Sequence, residues 1–134
     1  MPEPCLPKEF LRLLKPQLPQ MLATLCRFVE AESPSLEKSA ANACCEIVAE
    51  EWLRRGARVE RFAQKERGDH LRITFWPGKS RPGGQLLVLG HYDTVYSCGT
   101  LRTMPFRVSA GKAYGPGIFD MKAGIVQALS LIHI

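Results

Sequence analysis

The sequence has no block of like charge. Its 18 Lys and Arg against 13 Asp and Glu leave a formal net charge of +5, but the basic residues are scattered and never form a run of about five or six. Nucleic-acid binding therefore has net charge alone behind it, and none is expected. No apolar run approaches the length that crosses a bilayer. Met1-Pro2-Glu3-Pro4 is not followed by the basic and apolar regions of a signal peptide. No membrane partner and a cytoplasmic location are the corresponding expectations. The five cysteines are odd in number, Cys44 and Cys45 are adjacent, and no CxxC pair occurs. Neither a disulfide framework nor a structural zinc site is expected from them. There is no internal repeat and no low-complexity tract. What remains is an ordinary globular composition, 46% apolar and 23% charged over 134 residues, enough for one modest domain with a core.

Phe10, Leu14, Leu18, Leu22, Leu25, Phe28 and Val29 recur at spacings of three and four, which predicts a helix over Lys8–Glu32. Pro16 and Pro19 predict a break, with a second helix from about Pro19. Ser33-Pro34-Ser35 ends it. The next helix is expected over Leu36–Arg55, with Ser35 as N-cap, an apolar face of Ile47, Val48, Trp52 and Leu53, and Gly56 at its C-terminal end. Strands are expected at Arg58–Phe62 and His70–Trp76, with turns at Pro77-Gly78 and Pro82-Gly83-Gly84. Leu86-Leu87-Val88-Leu89 is a continuous apolar run, as in a strand buried on both faces. Phe106–Ser109 and Lys112–Tyr114 around Ala110-Gly111 predict a hairpin, and Asp120 onward a helix. The pattern is an α/β domain, with helices packed on a mixed, largely parallel sheet. Leu131-Ile132-His133-Ile134 ends an apolar helix without a cap, glycine or polar exit, so the polypeptide is expected to be a fragment.

Two constellations carry chemistry. Gly90-His91-Tyr92-Asp93-Thr94-Val95 follows the apolar run, at the carboxyl end of a strand where open sheets place ligands. Residues i and i+2 of an extended chain share a side. Asp93 can then hold one ring nitrogen of His91 and leave the other more basic, as for a metal-binding histidine. The plainer alternative is a hydrogen-bonded histidine beside a turn-forming aspartate. Gly115-Pro116-Gly117-Ile118-Phe119-Asp120-Met121-Lys122-Ala123-Gly124 delivers Asp120 to an expected helix start. A carboxylate is stabilised there and can bridge two cations. The plainer alternative is an acidic first-turn residue. A phosphate-cradling loop fits poorly, because Asp120 takes the place of the third glycine of the dinucleotide fingerprint.

Together with Pro105-Phe106-Arg107-Val108 and Lys112-Ala113-Tyr114, these motifs resemble the M20 metallopeptidase family, and most closely its glutamate carboxypeptidase branch. Phe28-Val29-Glu30 with Ser33-Pro34-Ser35 is similar to that family's first helix and turn. The resemblance implies a zinc-dependent hydrolase with two Zn2+ ions in its complete active site. His91 is the implied ligand of one zinc, Asp120 the implied bridge between both, and Asp93 the implied catalytic carboxylate that orients His91. The bond from Asp120 to Met121 is often cis in that family. The implied substrate is a peptide or N-acyl amino acid, with a deacylase, a desuccinylase or a non-catalytic binding module as alternatives. On this resemblance residues 1–134 are the N-terminal part of a catalytic domain. A pair of glutamates, further ligands and a lid domain that supports a homodimer are expected beyond Ile134, and the 134-residue chain alone is expected to be inactive. His133 falls too early for the family's last histidine ligand. His70 reads as an ordinary strand residue, Cys98 as a pocket-wall thiol, and Thr94, Val95 and Tyr96 as cleft-lining or loop-shaping residues.

Overall fold

A computed structural model describes residues 7–76, 84 and 86–132. The proline pair divides the first helical region as its chemistry requires. Helix α1 spans Pro7–Leu14, a 3-10 turn covers Lys15–Gln17, and α2 runs Leu18–Glu30 with Pro19 in its first turn, where the missing N–H costs nothing. Helix α3 spans Lys38–Arg54, followed by an antiparallel pair, β1 (Arg58–Phe62) and β2 (His70–Thr74). A second pair, β3 (Arg107–Ser109) and β4 (Lys112–Tyr114), turns through Ala110 and Gly111, both at positive φ. Arg107 lies 3.8 Å from the centre of the Tyr114 ring opposite it. Helix α4 spans Ala123–Leu131.

The core is built on α2. Leu25, Phe28 and Val29 bury against Cys44 and Val48 of α3 and against Val126 and Leu129 of α4. The buried face of α3 is Ala41, Cys44, Cys45, Val48 and Glu51, while Leu53 is exposed. Of the expected face, Val48 is in the core and Ile47 and Trp52 pack against it partly buried. Glu51 sits in the buried face because Arg27, Arg54 and Arg55 all bond its carboxylate, Arg54 at 3.2 Å and Arg55 at 2.6 Å. A buried carboxylate needs such partners.

Three sequence expectations are corrected. Helix α3 starts at Lys38 without a side-chain cap; Ser35 instead turns its hydroxyl to the Thr94 carbonyl, 3.1 Å away. Leu86–Leu89 is neither strand nor buried, with between 65% and 88% of each residue exposed. A strand exists only where a neighbour supplies ladder partners, and the described residues supply none. Accordingly they hold two antiparallel pairs and a single parallel bridge, Pro34 to Thr94, but no parallel sheet. Thirdly, α4 begins three residues after Asp120, so this carboxylate is not in its first turn. The expected turns at Pro77-Gly78 and Pro82-Gly83 lie outside the described residues. No helix among the described residues is long and apolar enough to cross a membrane.

Candidate functional site

Two irregular segments form the site. The first, Gly90–Thr94, lies along the C-terminal end of α2. Thr94 N–H donates to the Ser33 carbonyl (2.7 Å), Ser35 N–H donates to the Thr94 carbonyl (3.0 Å), and the Ser33 hydroxyl donates to the Tyr92 carbonyl (2.8 Å). Tyr92 points inward and donates its hydroxyl to the Asp69 carbonyl at 2.6 Å; burial, first of all, raises its pKa. The Asp69 carboxylate in turn accepts from Lys38 (2.7 Å), Arg61 (2.7 Å) and the Gln64 N–H (3.0 Å). The Lys38 hydrogen bond leads these in holding it far below the usual carboxylate range.

The second segment is a wide π-type turn, Ile118–Lys122, in which Asp120 and Met121 leave helical geometry and the peptide between them is cis. It is closed by the Lys122 N–H on the Gly117 carbonyl at 3.0 Å. Gly117 is required: its φ is +70°, and a Cβ there would stand 2.4 Å from the Thr94 methyl. The segments also touch through Met121, whose sulfur accepts the His91 N–H at 3.3 Å. The Met121 methyl lies where a Cβ at Gly90 would approach to 3.2 Å.

These contacts bring all three sequence-identified residues together. His91 Nε2 is 2.9 Å from Asp120 Oδ1. His91 Nδ1 is 3.0 Å from the Asp93 carbonyl and 3.3 Å from its carboxylate. Both ring nitrogens face oxygens that can accept hydrogen bonds, an arrangement that favours a positive charge on the ring. Burial opposes that charge, but the Asp120 hydrogen bond, the Asp93 carbonyl and the two carboxylate charges outweigh it and raise the His91 pKa. The site is open: the side chains of His91, Asp93 and Asp120 are 45%, 38% and 81% exposed.

Imidazole nitrogen and carboxylate oxygen are the donor types that suit zinc, and a carboxylate on the far ring nitrogen is the usual support. The number falls short of a catalytic zinc site, which takes three protein ligands. Among the described residues no group of three or more His, Cys, Asp or Glu could hold a metal ion. His91 and Asp120 thus fit as part of a donor set.

Cys98 is exposed, and its thiol bonds Glu37 rather than the site; burial, this bond and the charges of Glu37 and Glu32 raise its pKa. His70 is an exposed member of β2. His133 lies outside the described residues. Thr94 and Tyr96 line a small cleft with Val29, Glu32, Pro116 and Lys122, whereas Val95 is 92% exposed. Sequence reasoning assigned no role to Lys122 or Glu32. Lys122 is buried, and its ammonium donates to the carbonyls of Phe28 (2.6 Å) and Ala31 (2.9 Å). Burial lowers its pKa, against the opposing influence of Cys44, Glu32 and Asp93. Glu32 accepts the N–H groups of Gly99 (2.7 Å) and Leu101 (2.9 Å), fixing the loop after the first segment. The signal available for Lys122 was a lysine entering an apolar helix.

Residues 87–134 match the sequence model of peptidase family M20/M25/M40, the family that the two motifs resemble. Carboxypeptidase G2 of Pseudomonas sp. (strain RS-16) is 51% identical over 57 residues, which cover 40% of this chain and 14% of that protein. The chain therefore matches about a seventh of that relative's length.

Proposed function

We propose that this chain, carrying a peptidase family M20/M25/M40 segment at residues 87–134, is the N-terminal part of the catalytic domain of a zinc-dependent amide hydrolase. The observation that carries the reading is the approach of His91 Nε2 to Asp120 Oδ1 at 2.9 Å across 29 residues of sequence. Both lie inside the matching segment. The identity to a carboxypeptidase supports a peptide or N-acyl amino acid as substrate, with a C-terminal glutamate as one candidate.

His91 would offer its Nε2 lone pair to zinc. Asp93 holds the opposite ring nitrogen, which fixes the tautomer and strengthens the donor. Asp120, with most of its surface open, would hold the zinc ions through its carboxylate. Bound zinc supplies Lewis acidity toward a water and toward the scissile carbonyl. In the overall reaction the oxygen of water bonds the carbonyl carbon and the C–N bond breaks. A proton passes to the leaving amine, which calls for a general base. We place that base, the remaining ligands and a lid domain outside residues 1–134. The 134-residue chain alone then gives no turnover.

Calorimetric titration with zinc chloride tests the reading. The protein takes up zinc, His91→Ala loses that uptake, and Asp93→Asn binds about 10–100-fold more weakly. Uptake by His91→Ala equal to the parent's rejects the assignment. Zinc-dependent hydrolysis of acyl-glutamate peptides by residues 1–134 alone contradicts the predicted inactivity. A second reading, a binding module without catalysis, draws support from the lack of a three-donor group among the described residues. Zinc-dependent turnover by the protein with its remaining domains rejects it.

A further inference from the structure

A lysine is almost never fully buried without a partner, yet Lys122 is 1% exposed. Its hydrogen-bond acceptors are two backbone carbonyls, Phe28 at 2.6 Å and Ala31 at 2.9 Å. Both belong to the C-terminal end of α2, where carbonyls lack intrahelical donors and the helix dipole favours a cation. Two features set this lysine apart from an ordinary helix cap. It belongs to another segment, 91 residues on from Ala31, and its backbone N–H closes the turn that carries Asp120. The end of α2 that receives the ammonium also holds the His91 segment, through Ser33 and Ser35. Both halves of the candidate site are therefore referred to one short stretch, residues 28–35.

We propose that Lys122 is a positioning residue, whose ammonium on the carbonyls of Phe28 and Ala31 sets the Asp120 carboxylate at its distance from His91 and so sets the affinity of the site for zinc. The proposal rests on the zinc reading above. Its mechanical part, the anchoring of the turn at residues 117–122, stands without it.

Removing the ammonium takes the donor from the buried Phe28 carbonyl and the partly buried Ala31 carbonyl. The turn then loses one of its two ties and Asp120 wanders from His91. The test measures zinc affinity by calorimetry and, without metal, hydrogen exchange of the Lys122 backbone amide. It compares the parent protein, Lys122→Met, Lys122→Arg and a core control, Val48→Ala. Expected are a loss in zinc affinity of about tenfold or more for Lys122→Met and faster exchange at amide 122. Val48→Ala, destabilised elsewhere in the core, keeps the parent's affinity. Lys122→Arg retains charge and donors and stays within about threefold of the parent by the same reasoning. Parent-like affinity in Lys122→Met overturns the proposal, as does an equal loss in Val48→Ala. If Lys122→Met does not fold, Lys122→Arg decides: a loss of about tenfold or more there overturns it. If the parent itself takes up no zinc, the functional reading fails instead. Exchange at amide 122 then judges the anchoring, and unchanged protection in Lys122→Met overturns that too.

Discussion

Replacing Gly117 by alanine tests how tightly the site is assembled. Gly117 has φ +70°, a conformation that costs an L-residue roughly 1–2 kcal/mol. A Cβ would also meet the Thr94 methyl at 2.4 Å, and Thr94 has little freedom to retreat, since its N–H is held by the Ser33 carbonyl at 2.7 Å. Forcing a methyl into such a contact adds about 1–3 kcal/mol. The sum is about 2–5 kcal/mol of lost stability. Gly56 supplies the control, because its φ is +81° and nothing lies within 4 Å of its would-be Cβ. Gly56→Ala should therefore show only the conformational cost, about 1–2 kcal/mol. Thr94→Ser, which deletes the offending methyl, should make Gly117→Ala less costly in the double variant than alone. Urea unfolding of the four variants and the parent yields the coupling energy. Equal losses at positions 117 and 56, or a coupling energy near zero, would refute the claim that Gly117 and Thr94 are in forced contact.

Two further predictions concern the elements beneath the site. Backbone N–H groups of Gly99 and Leu101 hold the Glu32 pKa below its ordinary value, against the effect of burial. A depressed folded-state pKa stabilises above the unfolded value, near pH 4.3, and that stabilisation disappears as pH falls through the lower folded value. Thermal unfolding of the parent and Glu32→Gln should thus differ most above about pH 5 and converge in acid; a gap that widens on acidification contradicts the assignment. Phe28 is fully buried at the centre of the core, so Phe28→Ala should cost about 3–5 kcal/mol in denaturant unfolding. A loss under about 1 kcal/mol would mean that α2 does not organise the core.

The sequence disclosed elements whose determinants are local. Pro16 and Pro19 marked the break between α1 and α2, and Gly56 marked the end of α3 because φ +81° suits glycine. His91, Asp93 and Asp120 were singled out by residue type, spacing and resemblance, and the structure brings them together. The misreadings share a different cause. Leu86–Leu89 has the composition of a buried strand, but strand formation belongs to a pair of segments, and one segment's composition does not name its neighbour. Ser35 looked like a helix cap because the competing acceptor, the Thr94 carbonyl, lies 59 residues away. The face of α3 was read from its apolar residues alone, whereas three arginines make the burial of Glu51 tolerable.

The same distinction bears on how the site is held. His91 and Asp120 stand on backbone that is neither helix nor strand, so no regular ladder fixes their separation. Their spacing comes from side-chain and backbone bonds to the end of α2, made by Ser33, Ser35 and Lys122, and from the Met121 contact to the His91 amide. The Ser33, Ser35 and Met121 bonds each contribute little to net stability, about 0.5–1.5 kcal/mol, whereas Phe28 contributes several times more. Stability and site geometry are therefore governed by different residues. A variant at Phe28 should lose much of its stability while the folded fraction keeps its site. A variant at Lys122 should lose the site while remaining largely folded.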